Sequence, residues 1–267
     1  MNNEPIITPL CSSSKGNAVL VSSGKTKLLI DCGISGKKLE SCLSEVGVSP
    51  DEITAASVTH EHIDHIKGIG VFSRKYSVPI YANRGTWSAM LPVIGKISDE
   101  NIRIIDTGAS AEIGGIYITS FPLSHDAAEP VGYVFETDGG KAAIATDTGI
   151  ADNAVLSAVS GCKSALIEAN YDTYMLEAGR YPYELKRRIK SDSGHLSNDA
   201  ASSLAAELIS AGAEKIILGH LSEENNLPQL AYQTVKIYLE SAGISVGGDA
   251  ELSVANRTRA GCVLFQM

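Results

Sequence analysis

The sequence predicts an α/β fold in which two sheets pack face to face with helices on the outside. Two observations carry this. Short apolar runs framed by Gly and Ser turns fill the first half, whereas strand and helix patterns alternate in the second. Apolar residues make up 44% of the chain, ample for the core that such layers bury. No repeat, low-complexity tract or Pro/Ser-rich linker divides the 267 residues, so residues 1–267 are read as one domain.

Residues 18–21 and 27–30 are apolar runs between turn residues and read as strands. Residues 38–46 read as a helix, and residues 53–58 as a buried strand leading into a histidine-rich segment. Further strands are predicted at residues 78–81, 103–105, 116–120, 131–136 and 141–145. The last two are joined by Thr137-Asp138-Gly139-Gly140, a strong hairpin signal. Beyond them come a strand at 165–168, a helix at 198–210 with Leu204 and Leu208 on one face, a strand at 216–218 and a helix at 230–239.

The formal net charge is −9, so the surface as a whole repels a polyanion and any nucleic-acid contact needs a local basic patch. No apolar run is long enough to cross a bilayer. The opening Met1-Asn2-Asn3-Glu4-Pro5 lacks a basic and a hydrophobic region, so no signal peptide is expected. Cys11, Cys32, Cys42, Cys162 and Cys262 contain no CxxC pair and read as reduced, mostly buried thiols of a cytoplasmic protein.

All six histidines sit in short motifs suited to metal or proton chemistry. His60, His62 and His65 fall in Thr59-His60-Glu61-His62-Ile63-Asp64-His65. Alternate residues of an extended chain point the same way, so His60 and His62 can converge on one metal, with Asp64 and His65 facing a second. Three imidazoles and a carboxylate within six residues would repel or desolvate one another without a cation. His125, Asp147 and His220 lie at or just past predicted strand ends, where active-site groups gather, and have the right chemistry to complete the set. Each also has a plainer reading. His125 alone could be a satisfied interior histidine, and Asp147 before Thr148-Gly149, like Asp31 at a strand end, could simply start a turn.

This HxHxDH run followed by a His, an Asp and a final His resembles the metallo-β-lactamase superfamily, over nearly the whole chain. The resemblance implies the four-layer αββα sandwich of that superfamily, with two mixed sheets face to face. It further implies two divalent metal ions, the first held by His60, His62 and His125 and the second by Asp64, His65 and His220. Asp147 would bridge them, and Asp31 would support the ligands without ligating. Zinc or manganese suits this mixed His/carboxylate set, and iron is also compatible.

Three features bear on the substrate. The bridging position holds Asp147, where true β-lactamases commonly use cysteine. His195 is left over once the metals are filled. It precedes a predicted helix that Ser197 or Asn198 could cap, where it could grip a phosphate, protonate a leaving oxygen, or merely pack beneath the loop. The third feature is the stretch before it, where Tyr171, Tyr174, Tyr181 and Tyr183 are interleaved with Arg180, Lys186, Arg187, Arg188 and Lys190. That mixture suits a nucleic-acid strand, although an amphipathic surface helix with Leu185 and Ile189 inward explains it equally.

The segments Glu168-Ala169-Asn170-Tyr171-Asp172, Gly179-Arg180-Tyr181-Pro182, Gly194-His195-Leu196-Ser197-Asn198 and Gly219-His220-Leu221-Ser222-Glu223-Glu224-Asn225-Asn226 are similar to the YycJ (WalJ) group of this superfamily, as is the early Ser12-Ser13-Ser14-Lys15-Gly16-Asn17. The resemblance departs at Tyr171, where histidine is expected. It implies a nuclease related to tRNase Z and RNase J, a 5′→3′ DNA exonuclease acting by two-metal phosphodiester hydrolysis. In that scheme Asp64 and Asp147 position the attacking water, and His195 stabilises or protonates the departing oxygen. The roughly seventy residues between Asp147 and His220 leave no room for the inserted domain of RNase J. The partner expected is a nucleic acid, DNA before RNA, and no membrane. The alternatives are a small-molecule phosphodiesterase on the same site and a non-catalytic, metal-stabilised nucleic-acid-binding factor.

Overall fold

Alternation of apolar side chains along short strands creates two faces to bury on each sheet, and the chain meets this demand with layers. The computed structural model describes residues 3–265, so Met1-Asn2 of the opening read as lacking a signal peptide lies outside the described residues. The first half runs β1 (Ile6–Ser13), β2 (Gly16–Ser23), β3 (Thr26–Ile30), α1 (Gly36–Glu45), β4 (Ala55–Ser57), α2 (Ile63–Ile66), α3 (Ile69–Tyr76), β5 (Ile80–Ala82), α4 (Arg84–Ile94) and β6 (Ile102–Ile104). Its strands form a six-stranded sheet in sequence order, antiparallel from β1 to β3 and parallel from β3 to β6.

The second half runs β7 (Ser110–Ile113), β8 (Ile116–Pro122), β9 (Val131–Thr137), β10 (Gly140–Ala145), α5 (Asn153–Val159), β11 (Ser164–Glu168), α6 (Thr173–Ala178), α7 (Tyr183–Ile189), α8 (Asn198–Ser210), β12 (Lys215–Gly219), α9 (Pro228–Ser241), β13 (Glu251–Ala255) and β14 (Cys262–Val263). These strands form an eight-stranded sheet in the order β14-β13-β12-β11-β10-β9-β8-β7, parallel from β10 to β13. The expected hairpin is present, with Gly140 opposite Thr137 where β10 turns back on β9.

The pleat sorts side chains between layers. On β2, Val19 and Val21 join Leu166 of β11 and Ile217 of β12 in the core between the sheets. Ala18 and Leu20 face the other way, onto Leu39 and Leu43 of α1, Phe72 of α3 and Met90 of α4. On β11, Ala165 and Ile167 pack against Val155 of α5, Leu204 of α8 and Val235 of α9. This is the αββα sandwich that the sequence predicts.

Some elements escape the sequence reading for physical reasons. Pro9 interrupts β1 and argues against a strand. β1 is an edge strand whose register shifts between Pro9 and Cys11, so the missing N–H leaves no ladder position unpaired. Pro92 inside α4 hides that helix in the same way. All five cysteines are free, four buried and Cys262 half-buried. No helix among the described residues is long and apolar enough to cross a membrane.

Candidate metal centre

Three strands end by turning a polar side chain into one place. Asp31 follows β3, Asp147 lies two residues beyond β10 and His220 follows β12, with φ of 60°, 62° and 53°. Left-handed backbone is rare outside glycine and costs free energy at residues with a Cβ. Among the described residues other than glycine, only Ser77, which ends α3, shares it with these three. The strain is concentrated where the strands converge, as it is in built sites.

Beside β3 in the same sheet, β4 ends at Ser57, and the chain passes through His60 and His62 into the short helix α2. Gly33 makes the approach close, since a Cβ there would lie 1.5 Å from the Asp64 carbonyl oxygen. Backbone hydrogen bonds from Cys32 N to His65 O and from Gly68 N to Cys32 O, both 2.7 Å, stitch the exit of β3 to α2.

Each fully engaged ring is held by its Nδ1. His65 Nδ1 lies 2.8 Å from Asp31 Oδ2, which also accepts from Thr59 Oγ1 at 2.9 Å. His60 Nδ1 lies 3.0 Å from Thr59 Oγ1, and His125 Nδ1 lies 2.9 Å from Gly194 O. His220 Nδ1 lies 2.7 Å from Glu168 Oε1, and the same oxygen sits 2.8 Å from His195 Nδ1. The other Glu168 oxygen accepts from Leu196 N at 3.1 Å and Thr148 N at 3.2 Å. Holding Nδ1 in this way aims Nε2 and sets the tautomer that a metal requires.

The aimed atoms lack partners. His60 Nε2, His125 Nε2, His220 Nε2 and Asp147 Oδ2 are buried without a hydrogen bond. Orphaned buried polar atoms are costly, and four in one place fit a cation. His60, His62 and His125 form one group, Asp64, His65 and His220 a second, and His60, His65 and Asp147 a third, each with ligand atoms within 4.8 Å of one another. Asp147 faces both sides, with Oδ2 3.4 Å from His65 Nε2 and Oδ1 3.8 Å from His125 Nε2. These clusters are the His/Asp constellation of a dinuclear metal site, and they could hold two divalent ions.

Electrostatics agree. Burial, reinforced by neighbouring imidazoles, holds the His60 pKa well below its usual value, so its lone pair is available. His65 is different: burial opposes its charge, but Asp147, Asp31 and Asp64 prevail and push it up to about 9. For His220, burial is likewise outweighed, by Asp147, Asp64 and Glu168, and the pKa lies well above the ordinary value. Glu168 is fully buried, yet His195 and His220 hold it well below the carboxylate range. Acids this dense leave an excess of negative charge that protons fill in the absence of metal.

The structure therefore brings His60, His62, Asp64, His65, His125, Asp147 and His220 together, and all of these but the buried His60 and His65 line a cavity of ≈ 220 Å³, as does His195. Asp31 stands behind His65. Glu168 is the residue that sequence reasoning misses, although it ends an apolar strand immediately before Ala169. Ser12 escapes it too; its Oγ accepts from His220 N at 2.8 Å and helps fix that strained residue. His195 precedes α8 as expected, with Ser197 capping the helix through Ala200 N at 3.1 Å.

The basic, tyrosine-rich stretch becomes α6 and α7 beside the cavity. Leu185 and Ile189 pack inward with Tyr171 and Leu176, as the amphipathic-helix reading requires. Tyr174 and Tyr183 are largely exposed, at 85% and 74%. Much of the positive charge is already paired. Lys190 bonds Glu177, Arg187 lies 3.3 Å from Glu184, and Arg188 bonds Asp126.

Comparison with known proteins gives a consistent answer. The Beta-lactamase superfamily domain matches residues 26–221. Exodeoxyribonuclease YycJ of Bacillus anthracis is 41% identical over 243 residues, spanning 91% of this chain and 92% of that protein. Exodeoxyribonuclease WalJ of Streptococcus pneumoniae is 41% identical over 242 residues, 90% of each chain. Among solved structures, the metallo-β-lactamase fold protein YhfI from Bacillus subtilis matches with a TM-score of 0.72 at 16% identity, covering 97% of this chain and 100% of that one, a likeness of fold.

Proposed function

This chain belongs to the metallo-β-lactamase superfamily, and from that premise we propose that it is a metal-dependent exodeoxyribonuclease working in the 5′→3′ direction. The observation that carries the reading is the set of unpaired Nε2 atoms on His60, His125 and His220 gathered around Asp147. The names of the two relatives that match about nine-tenths of the chain support DNA as the substrate.

In this reading His60, His62 and His125 hold one divalent ion, Asp64, His65 and His220 hold a second, and Asp147 stands between them. When bound, such a pair of cations makes water acidic and screens charge developing on a phosphate. The protein's own groups supply orientation and proton transfer. Asp64 and Asp147 offer carboxylate oxygens that orient the attacking water for in-line displacement. His195 is the proton donor: Glu168 occupies its Nδ1, leaving Nε2 for the departing oxygen. Burial opposes charge on His195, but Glu168 and Asp147 outweigh it and raise the pKa, so the ring carries a proton to give.

One observation favours a small-molecule phosphodiesterase instead, namely that Lys190, Arg187 and Lys186 are engaged within the chain. Digestion of 5′-labelled and 3′-labelled DNA in zinc and in manganese, alongside elemental analysis, separates the two. The exonuclease reading expects early release of the 5′ label as mononucleotide and two metals per chain. Intact DNA beside rapid turnover of a chromogenic phosphodiester would instead establish the small-molecule reading.

A further inference from the structure

Among the described residues, Arg188 is the one Lys or Arg that lines the cavity over the candidate metal centre. It stands on α7, which Leu185 and Ile189 anchor from below, while its own side chain is half exposed. Its Nε donates to Asp126 Oδ2, and neither Nη nitrogen has a partner among the described residues. The second oxygen of Asp126 points the other way, with Oδ1 3.5 Å from His125 Nε2. The guanidinium is thus held one carboxylate's width from the ligand atoms, with its outer donors unused. The other cations of the stretch differ: Lys186 donates to Glu177 O at 2.7 Å, and Lys190 bonds the Glu177 side chain.

We infer that Arg188 grips a substrate phosphate next to the one being cut, and that Asp126 occupies Arg188 until that phosphate arrives. The inference rests on the nuclease reading above. A half-exposed ion pair adds little stability and is readily exchanged. A phosphate offers the guanidinium fork two parallel charge-assisted hydrogen bonds, which the single Nε contact to Asp126 does not. The grip is also coupled to the proton donor. Gly194 packs so tightly that a Cβ there would lie 2.3 Å from Arg188 O, so the loop bearing His195 rests directly on the end of α7. A phosphate seated on Arg188 is therefore placed relative to His195 by rigid backbone.

The test compares Arg188→Ala, Arg188→Lys and Asp126→Asn with the unaltered protein. DNA hydrolysis is measured with 5′-phosphorylated and 5′-hydroxyl strands, and bis(p-nitrophenyl) phosphate serves as a substrate with no neighbouring phosphate. Arg188→Ala should raise KM for DNA about tenfold or more with kcat within about twofold, and Arg188→Lys should fall between. Asp126→Asn frees the cation and should lower KM or leave it unchanged, and turnover of the small substrate should stay level in all three. If the 5′-phosphate advantage disappears in Arg188→Ala, the phosphate gripped is the terminal one. An equal loss on both strands makes it a backbone phosphate, and either result supports the grip. A rise in KM of similar size in Arg188→Ala and Asp126→Asn would reduce the pair to a structural clamp and overturn the proposal. So would a KM for Arg188→Ala within twofold of the original, or loss of metal from Asp126→Asn, which would make Asp126 a ligand. Anisotropy of labelled DNA on metal-free protein reads the same contrast without hydrolysis. A protein that binds DNA through Arg188 yet never cuts it would refute the nuclease reading alone.

Discussion

Asp31 and Glu168 stand at matching points of the two sheets, one just past β3 and the other closing β11, and each holds histidine Nδ1 atoms from behind. Their loads differ. Asp31 steadies one candidate ligand, His65, and shares the work with Thr59, whose N–H reaches its other oxygen at 2.8 Å. Glu168 steadies two rings with different roles, the candidate ligand His220 and the candidate proton donor His195. In the proposed mechanism one sheet thus separates metal support from proton transfer, and the other routes both through a single buried carboxylate. Losing Glu168 should therefore do more damage than losing Asp31, although both are buried acids of similar geometry.

The comparison breaks most visibly at Glu168→Gln. The amide has only one acceptor oxygen, so it cannot serve both the two imidazoles and the Leu196 and Thr148 N–H groups, and it removes the charge that keeps His195 protonated. Outer partners of a metal-bound histidine typically contribute 10–100-fold, and a general acid contributes ~10²–10⁴-fold, so kcat should fall by at least about 10³. The pH profile of the residual activity should lose the limb that His195 provides. A fall no deeper than that of Asp31→Asn would mean that Glu168 serves His220 alone. His195→Ala isolates proton transfer from metal support. Turnover should drop ~10²–10⁴-fold while two metals per chain remain bound. Metal loss in that variant would make His195 a ligand. Asp31→Asn should cost about 10–100-fold in metal affinity, with the shape of the pH profile of kcat at saturating metal kept. Competition against a chelating dye measures it, and an altered pH profile would show that Asp31 takes part in proton transfer.

The same contrast explains which parts of the site are legible in sequence. His60, His62, Asp64 and His65 are close in the chain because one exit loop from β4 and one turn of α2 present them together, so local spacing reveals them. Asp31 is visible as an acid directly after an apolar run. Glu168 looks no different in sequence, and what sets it apart is that it holds two imidazoles, 27 and 52 residues further on, where Asp31 holds one, 34 residues on. An acid that ends a strand buried at every position is the signal that could have found it, since such a charge must be paired. The basic stretch misleads in the opposite sense. Its composition shows the cations but not that Glu177, Glu184 and Asp126 fold back onto them. The layers themselves are readable from alternation, although β1 and α4, which carry a proline, and α3, α5, β7 and β13, which do not, escape it.

The smallest effect sharpens the comparison within Asp31's own half of the site. In metal-free protein His65 stays protonated up to about pH 9, because Asp147, Asp31 and Asp64 outweigh its burial. A metal requires the neutral ring, so binding must expel that proton. From the ordinary histidine pKa near 6.5 up to about 9, affinity for zinc should therefore rise about tenfold per pH unit for this one proton, then level off. Stability moves the other way when metal is absent. A raised folded pKa contributes stability that is complete below about 6.5 and is lost as pH climbs through about 9. Heating both forms across this window should give a Tm that falls with pH for the metal-free protein and stays nearly level for the metal-loaded one, because the gain in affinity offsets the lost proton. In Asp31→Asn the levelling-off should move to lower pH, because one of the three acids that charge His65 is gone. An unmoved plateau would assign the proton to another ring, and His220, held by Glu168 rather than Asp31, is then the group to test.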